Sequence, residues 1–327
     1  MITIRIQGDH GLIEAAAPCK NCWVDARNVT KEDLYQLEHD YGISGELITD
    51  IMDADEQARI EKEDEYTALI VRLPVFDDKY EVSYFTLPLG IVIFSDKIVT
   101  ICQRSSDALE DLAKNRIRGF NIRNKSAFVL NMLGRAAFTF LKSLKELNRK
   151  ANTIEQELQK SVQNHELIQL LSLQKSLVYY TTSIKTNELL LEKLQKTSVF
   201  RFKEDEKDLL EDVVTENRQA IEMANIYSSI LTGTMDAFAS VISNNLNIVM
   251  KRLTIISIAL MIPTLVTSFY GMNVGIPYQH SIWAVWVILF VSLGASILGA
   301  VFLSMEKRVR KNKKINFTQN FMMVNKH

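Results

Sequence analysis

The sequence predicts an α+β domain at the N-terminus, long stalk helices after it and two transmembrane helices near the C-terminus, with helix predominating. Three observations predict it. Segments rich in β-branched and aromatic residues crowd roughly the first 115 residues, as a half-buried sheet requires. No proline occurs between Pro88 and Pro263 and no glycine between Gly134 and Gly233, so almost nothing in the middle of the chain stops a helix. Between Arg252 and Lys307 there is no Lys, Arg or Asp, and the one acid, Glu306, stands at the end of that stretch.

In chain order, residues 1–6, 22–26, 66–73, 82–94 and 97–102 fit strands. Thr30-Lys31-Glu32-Asp33 has the form of a capping box opening a helix that Gly42 closes, and residues 105–114 fit a further helix. Together these make a domain over 1–120. A helical stalk domain follows over 121–250. Within and beyond it, residues 125–197 form an antiparallel helical pair turning near 163–165, and 202–270 form one helix that runs into the membrane, on the order of 100 Å long at 1.5 Å per residue.

Two stripes mark that last helix. Leu210, Val214, Asn217, Ile221, Ala224, Ser228, Leu231, Met235, Phe238, Ile242, Asn245 and Val249 alternate by four and three, a packing seam of coiled-coil type. Asp236, Ser240, Ser243, Asn247, Met250, Thr254, Ser257, Met261, Thr264 and Ser268 form a second, largely polar stripe that crosses into the apolar stretch in register. Small hydroxyls in a membrane helix can serve helix packing. A stripe that begins outside the membrane and continues through it also suits identical helices around a shared axis, and both readings stand at this point.

Residues 253–270 and 282–303 are apolar runs of about 18 and about 22 residues, enough to cross roughly 30 Å of hydrocarbon. The organisation that follows is a first span over 251–273, an external loop over 274–281, a second span over 282–304 and a basic tail over 305–327. Lys251 and Arg252 before the first span, and Lys307, Arg308, Arg310, Lys311, Lys313 and Lys314 after the second, place both flanks and both termini in the cytoplasm. Trp283 and Trp286 fit an interfacial aromatic belt.

A net charge of −1 argues against a nucleic-acid partner, which would call for a basic surplus. Cys19, Cys22 and Cys102 are odd in number and fit a reducing cytoplasm; Cys19-Lys20-Asn21-Cys22 is half a zinc site or a redox pair, incomplete without a second pair. Residues 1–6 lack the apolar core of a signal peptide. No phosphate-binding glycine loop and no set of nucleophile, base and oxyanion donor can be pointed out, so an enzyme is not expected.

The first span ends Ser268-Phe269-Tyr270-Gly271-Met272-Asn273, with Pro263 inside it and a second span close behind. This arrangement resembles the CorA family, whose signature is Gly-Met-Asn at the outer end of the first of two C-terminal spans. Cys22-Trp23-Val24-Asp25 and the stretches 53–61 and 63–76 extend the likeness over nearly the whole chain. The resemblance implies a funnel-shaped homopentamer in the inner membrane that admits Mg2+, with Co2+ or Ni2+ as further cargo, driven by membrane potential and closed by intracellular Mg2+. Its partners would be copies of itself, the bilayer and divalent cations.

Gly271, Met272 and Asn273 would form the selectivity filter. Five Asn273 amides would accept hydrogen bonds from the waters that Mg2+ sheds reluctantly. Gly271 would turn the backbone off the helix, or would cap it together with Asn273. Asn247, Met250, Leu253, Ser257, Met261, Thr264, Ser268 and Tyr270 would line the path, with Met250, Leu253 and Met261 as an apolar constriction. Asp212, with Asp77 or Asp78, would bind regulatory Mg2+ at the subunit boundary. The connector 274–281 departs from many family members in having no Asp or Glu, so no electrostatic attraction of cations to the mouth is expected. Two rival readings remain: a zinc or other transition-metal transporter of the same superfamily, and a membrane-anchored coiled-coil scaffold that conducts nothing.

Overall fold

The structure, a computed structural model, describes residues 1–8, 11–114, 116–117, 120–160, 164–196, 200, 202–272, 275, 283 and 285–301. The chain divides into two units, Met1–Asp236 and Ala237–His327.

The first unit is built on a seven-stranded sheet. Its strands are β1 (Ile2–Gly8), β2 (Gly11–Ala15), β3 (Cys22–Arg27), β4 (Arg59–Lys62), β5 (Tyr66–Phe76), β6 (Tyr84–Phe94) and β7 (Lys97–Cys102), in the spatial order β2-β1-β3-β7-β6-β5-β4. Strands β3 and β7 run parallel, and the other neighbours pair antiparallel. The helices are α1 (Lys31–His39), α2 (Gly45–Met52), α3 (Asp107–Ala113), α4 (Lys125–Lys160), α5 (Asn164–Lys196) and α6 (Glu204–Tyr270).

The strands expected from composition are present; β5 runs on past residue 73 to Phe76, and β6 begins at Tyr84, two residues later than expected. The capping box is formed: Thr30 Oγ1 accepts from the Asp33 amide at 3.3 Å, and Asp33 Oδ2 accepts from the Thr30 amide at 2.9 Å. Gly42, at φ +69°, turns the chain after α1, a conformation that suits glycine. Three elements were not expected: β2, α2 and β4.

Both faces of the sheet are covered, which is why its central strands read as unbroken apolar runs. Alternate residues divide between two cores. Trp23, Leu69, Val71, Leu73, Leu89, Ile91 and Ile98 pack with α3, α4, the end of α5 and the start of α6. Cys22, Val24, Ile70, Val92, Val99 and Ile101 pack with Leu37, Leu47, Ile48 and Ile51 from α1 and α2. Helix α2 lies so close to β6 that a Cβ on Gly90 would stand 2.2 Å from Ile51 Cδ1 and 2.8 Å from its Cγ1.

Two buried charges tie these layers together. Asp25 on β3 accepts from Arg5 Nη1 at 2.8 Å, Arg27 Nε at 2.9 Å and the Thr100 hydroxyl at 3.2 Å. Arg72 on β5 spends all five guanidinium protons: on Ser183 Oγ, on the Ala54 and Glu56 carbonyls, and on both the carbonyl and hydroxyl of Thr86. Its main chain is equally committed. Strand β4 reaches only to the partner of Ile70, and past that point the Asn187 side chain stands in for a strand, giving and accepting bonds of 2.9 Å with the Arg72 backbone. Burial pushes the Arg72 guanidinium below its ordinary pKa, opposed by the nearby Asp55, Glu56 and Asp53 carboxylates.

The seam of α6 is packed over its first half. Leu210, Asn217, Ala224 and Leu231 are buried, and the Asn217 amide donates to the Ile184 carbonyl of α5 at 3.2 Å.

The second unit consists, among its described residues, mainly of α6 from Ala237 onward and a shorter apolar helix, α7 (Val285–Val301). Phe238 is still buried, but further on the seam is uncovered: Ile242 is 36% and Val249 58% exposed.

Candidate functional site

The C-terminal part of α6 carries an 18-residue apolar window long enough to cross a membrane, and none of that window is buried. One side of it is partly covered by α7. The Ser296 hydroxyl donates to the Ala259 carbonyl, and a Cβ on Gly299 would meet Ile262 Cδ1 at 3.4 Å. Ser292 and Ser296 are buried on α7, and Ile255, Ile258, Ala259, Ile262, Pro263 and Val266 are half-buried on α6.

The expected path residues lie elsewhere on the helix. Asn247, Met250, Ser257, Met261, Thr264 and Ser268 are exposed along one stripe, roughly 150° around from the middle of the covered side at 3.6 residues per turn. Leu253, 57% exposed, sits at the edge of that stripe. Tyr270 does not share it: although exposed, it lies roughly 180° around from Met261.

The hydroxyls along this face are already committed as donors. Thr254 Oγ1 gives its proton to the Met250 carbonyl at 2.9 Å, Ser257 Oγ to Leu253 at 3.0 Å, and Thr264 Oγ1 to Leu260 at 2.8 Å. With the proton spent inside the helix, each oxygen keeps lone pairs for an outside donor. Coordinated water on a cation is such a donor. Met250, Leu253 and Met261 lie among these oxygens and offer only apolar or weakly accepting surface.

Helix α6 ends at Tyr270. The Gly271 amide donates to the Thr267 carbonyl at 2.9 Å and the Ser268 carbonyl at 3.2 Å, tightening the last turn. Its φ lies outside the left-handed region, and a Cβ there would stand 3.4 Å from the Thr267 oxygen, an ordinary contact. Met272 follows, 50% exposed. Asn273 lies outside the described residues, as do the connector apart from Gly275 and the whole basic tail.

Of the acids expected to bind regulatory cation, Asp77 opens the turn between β5 and β6. Its carboxylate accepts from the Lys79 amide at 3.0 Å and from Arg104 Nη1 at 2.6 Å, and these two contacts hold its pKa below the ordinary carboxylate range. Asp78 is exposed beside it. Asp212 is exposed on α6, one turn before Glu216, a residue the sequence reading passed over. Burial and the Asp212 charge both push the Glu216 carboxyl up. Among the described residues, no three His, Cys, Asp or Glu side chains gather closely enough to hold a metal ion. Cys19 is exposed but Cys22 is buried, and burial raises its thiol pKa, which makes the pair poor ligands.

Ser292, Ser296 and Gly299 were also missed. Their spacing of four and three, all small residues, was the available signal.

Comparison with known proteins finds several relatives. A family model described as "CorA-like Mg2+ transporter protein" matches residues 19–308. The chain is 25% identical over 272 residues to the cobalt/magnesium transport protein CorA of Methanocaldococcus jannaschii, covering 82% of this chain and 84% of that one. It is 22% identical over 298 residues to the protein of the same description from Thermotoga maritima, covering 87% and 82%. The complete structure of the Methanocaldococcus jannaschii magnesium transporter superposes with a TM-score of 0.78 over 92% of this chain and 96% of that one, at 21% identity, a likeness of fold.

Proposed function

The chain belongs to the CorA-like Mg2+ transporter family, a family of divalent-cation transporters rather than of enzymes, and from that membership we propose that it is one subunit of a homopentameric inner-membrane channel for Mg2+ influx. The single observation that carries the proposal is the uncovered stripe from Asn247 to Ser268. Apolar surface in contact with α7 lies on another side of α6, so the stripe of oxygens and thioethers is left for neighbouring copies and the space between them.

In this reading five copies bring their α6 helices around a common axis. Mg2+ keeps its inner waters, and a ring of Asn273 amides, supported by Gly271 and Met272, accepts hydrogen bonds from them without the strong trapping that carboxylates would impose. Thr264, Ser257 and Asn247 repeat that chemistry further along, Ser268 stands near the mouth, and Met261, Leu253 and Met250 form the constriction that closes by dewetting. Tyr270 supports the signature from the side of the helix away from the stripe. A membrane potential of about 100 mV gives a divalent cation about 4.6 kcal/mol, twice the value for one charge. Co2+ and Ni2+ share the size and hydrated form that such a filter reads.

The spans over 251–273 and 282–304, the basic flanks and the connector 274–281 place both termini in the cytoplasm. Regulation acts there. Asp212, repelled by its neighbour Glu216, meets Asp77 or Asp78 of an adjacent copy, and a bound Mg2+ relieves that repulsion and holds the closed state. In this reading the donors come from two chains. Replacing Asp212 by Ala leaves uptake active at high internal Mg2+; inhibition equal to that of the parent contradicts the sensor.

Mg2+ uptake by proteoliposomes under an inside-negative potential tests the function, with Co2+, Ni2+ and Zn2+ as competitors. Uptake blocked best by Zn2+ moves the assignment to a transition-metal transporter, and no uptake of any cation leaves the scaffold reading.

A further inference from the structure

Pro263 opens a gap in the hydrogen-bond ladder of α6. Lacking an N–H, it gives nothing to the carbonyl four residues back, that of Ala259. In a stretch surrounded by apolar side chains no water is at hand to take its place, and a carbonyl left without a donor is costly. The Ser296 hydroxyl of α7 donates to that same carbonyl.

The other hydroxyls nearby behave differently. Thr254, Ser257, Thr264 and Thr267 of α6 donate to carbonyls within α6, and Ser292, one turn before Ser296 on α7, donates to the Leu289 carbonyl of its own helix at 3.0 Å. Bonding back within the helix is the ordinary outcome for a hydroxyl in this setting. Ser296 is buried and spends its proton across the helix pair, on the one carbonyl that the proline deprives. Gly299 one turn later faces Ile262, where even a Cβ would stand in ordinary contact at 3.4 Å, so the two helices approach at this level.

We propose that Ser296 is a positioning residue for the path-lining helix: its hydroxyl replaces the N–H missing at Pro263 and fixes α6 to α7 where the α6 ladder is open. The segment beyond the gap carries Thr264 and Ser268, and the segment before it carries Met261 and Ser257. Without the Ser296 bond the two segments are free to bend against each other at Pro263, and the rings they form lose their alignment. The consequence for flux rests on the transport reading above; the bond itself does not.

The test uses the full-length protein with Ser296→Ala, Ser296→Thr, Ser296→Val, Pro263→Ala and the double variant Pro263→Ala/Ser296→Ala. It measures Mg2+ uptake in liposomes and thermal unfolding in detergent. Ser296→Ala is expected to lower Tm and to cut uptake about threefold, the size of an average interhelical hydrogen bond in a membrane protein. Thr and Val have nearly the same shape, so Thr restores both readouts and Val restores neither. Pro263→Ala returns an N–H to the helix, and in that background Ser296→Ala changes neither readout. Equal effects of Ser296→Ala with and without Pro263, or equal behaviour of Thr and Val, overturn the proposal. If the parent protein takes up no Mg2+, the transport reading fails, while the Tm comparison still decides the role of Ser296.

Discussion

The first half of α6 and the second carry the same seven-residue repeat, yet one finds its partners within the chain and the other does not. Leu210, Asn217, Ala224 and Leu231 are buried, whereas Ile242 and Val249, in the same register, are exposed. Periodicity therefore states that a face is covered, not by what. In Met1–Asp236 the cover is α4, α5 and the sheet; from Ile242 onward the seam is exposed, and only the side of α6 toward α7 is partly covered.

That contrast can be broken most forcefully inside the first unit, where stability depends on contacts the chain makes with itself. Arg72→Leu removes the only donors to the Ala54, Glu56 and Thr86 carbonyls among the described contacts and is expected to cost about 4 kcal/mol, read as a lower urea midpoint of the full-length protein. An unchanged midpoint would show that this core does not depend on its buried cation. Smaller, and more discriminating, is a pair of seam substitutions. Ala224→Leu overfills a site with no exposed surface and should cost about 2 kcal/mol, while Val249→Ala should stay within about 0.5 kcal/mol in unfolding and act on subunit association, measured by light scattering in detergent.

The smallest effect is one of pH at the β5–β6 turn. The Asp77 carboxyl is held below its unfolded value by the Lys79 amide and Arg104, so its contribution is present above about pH 4 and is lost as pH falls through the lower, folded value. Asp77→Asn removes that part of the acid dependence of unfolding; an identical acid limb in both proteins would show that the turn contributes nothing.

Much of the fold was legible because it is written in periodicity. β5, β6 and β7 are apolar on both faces, and the lack of glycine and proline from residue 135 to 232 left helices as the one solution. What was missed had weak local signals. β4 reads Arg-Ile-Glu-Lys and owes its state to pairing with β5 at the edge of the sheet. α2 begins at Gly45 with no side-chain cap from Ser44 and is held by Leu47, Ile48 and Ile51 in the core. The stripe on α6 was legible as spacing. Glu216, four residues after Asp212 on the same helix, was legible in the same way, whereas the bonds of Arg72 with Asn187 and of Ser296 with Ala259 join residues far apart in the sequence and were not.

Whether the stripe faces a water-filled path is tested most directly by Mg2+ uptake into liposomes carrying single cysteines in a Cys19→Ser background. A membrane-impermeant cationic thiol reagent is applied while uptake is recorded. Thr264→Cys and Ser257→Cys are predicted to be blocked, and Ile262→Cys and Val266→Cys, on the side toward α7, to be unaffected. Block at Ile262 and Val266 with none at Thr264 and Ser257 would contradict the account.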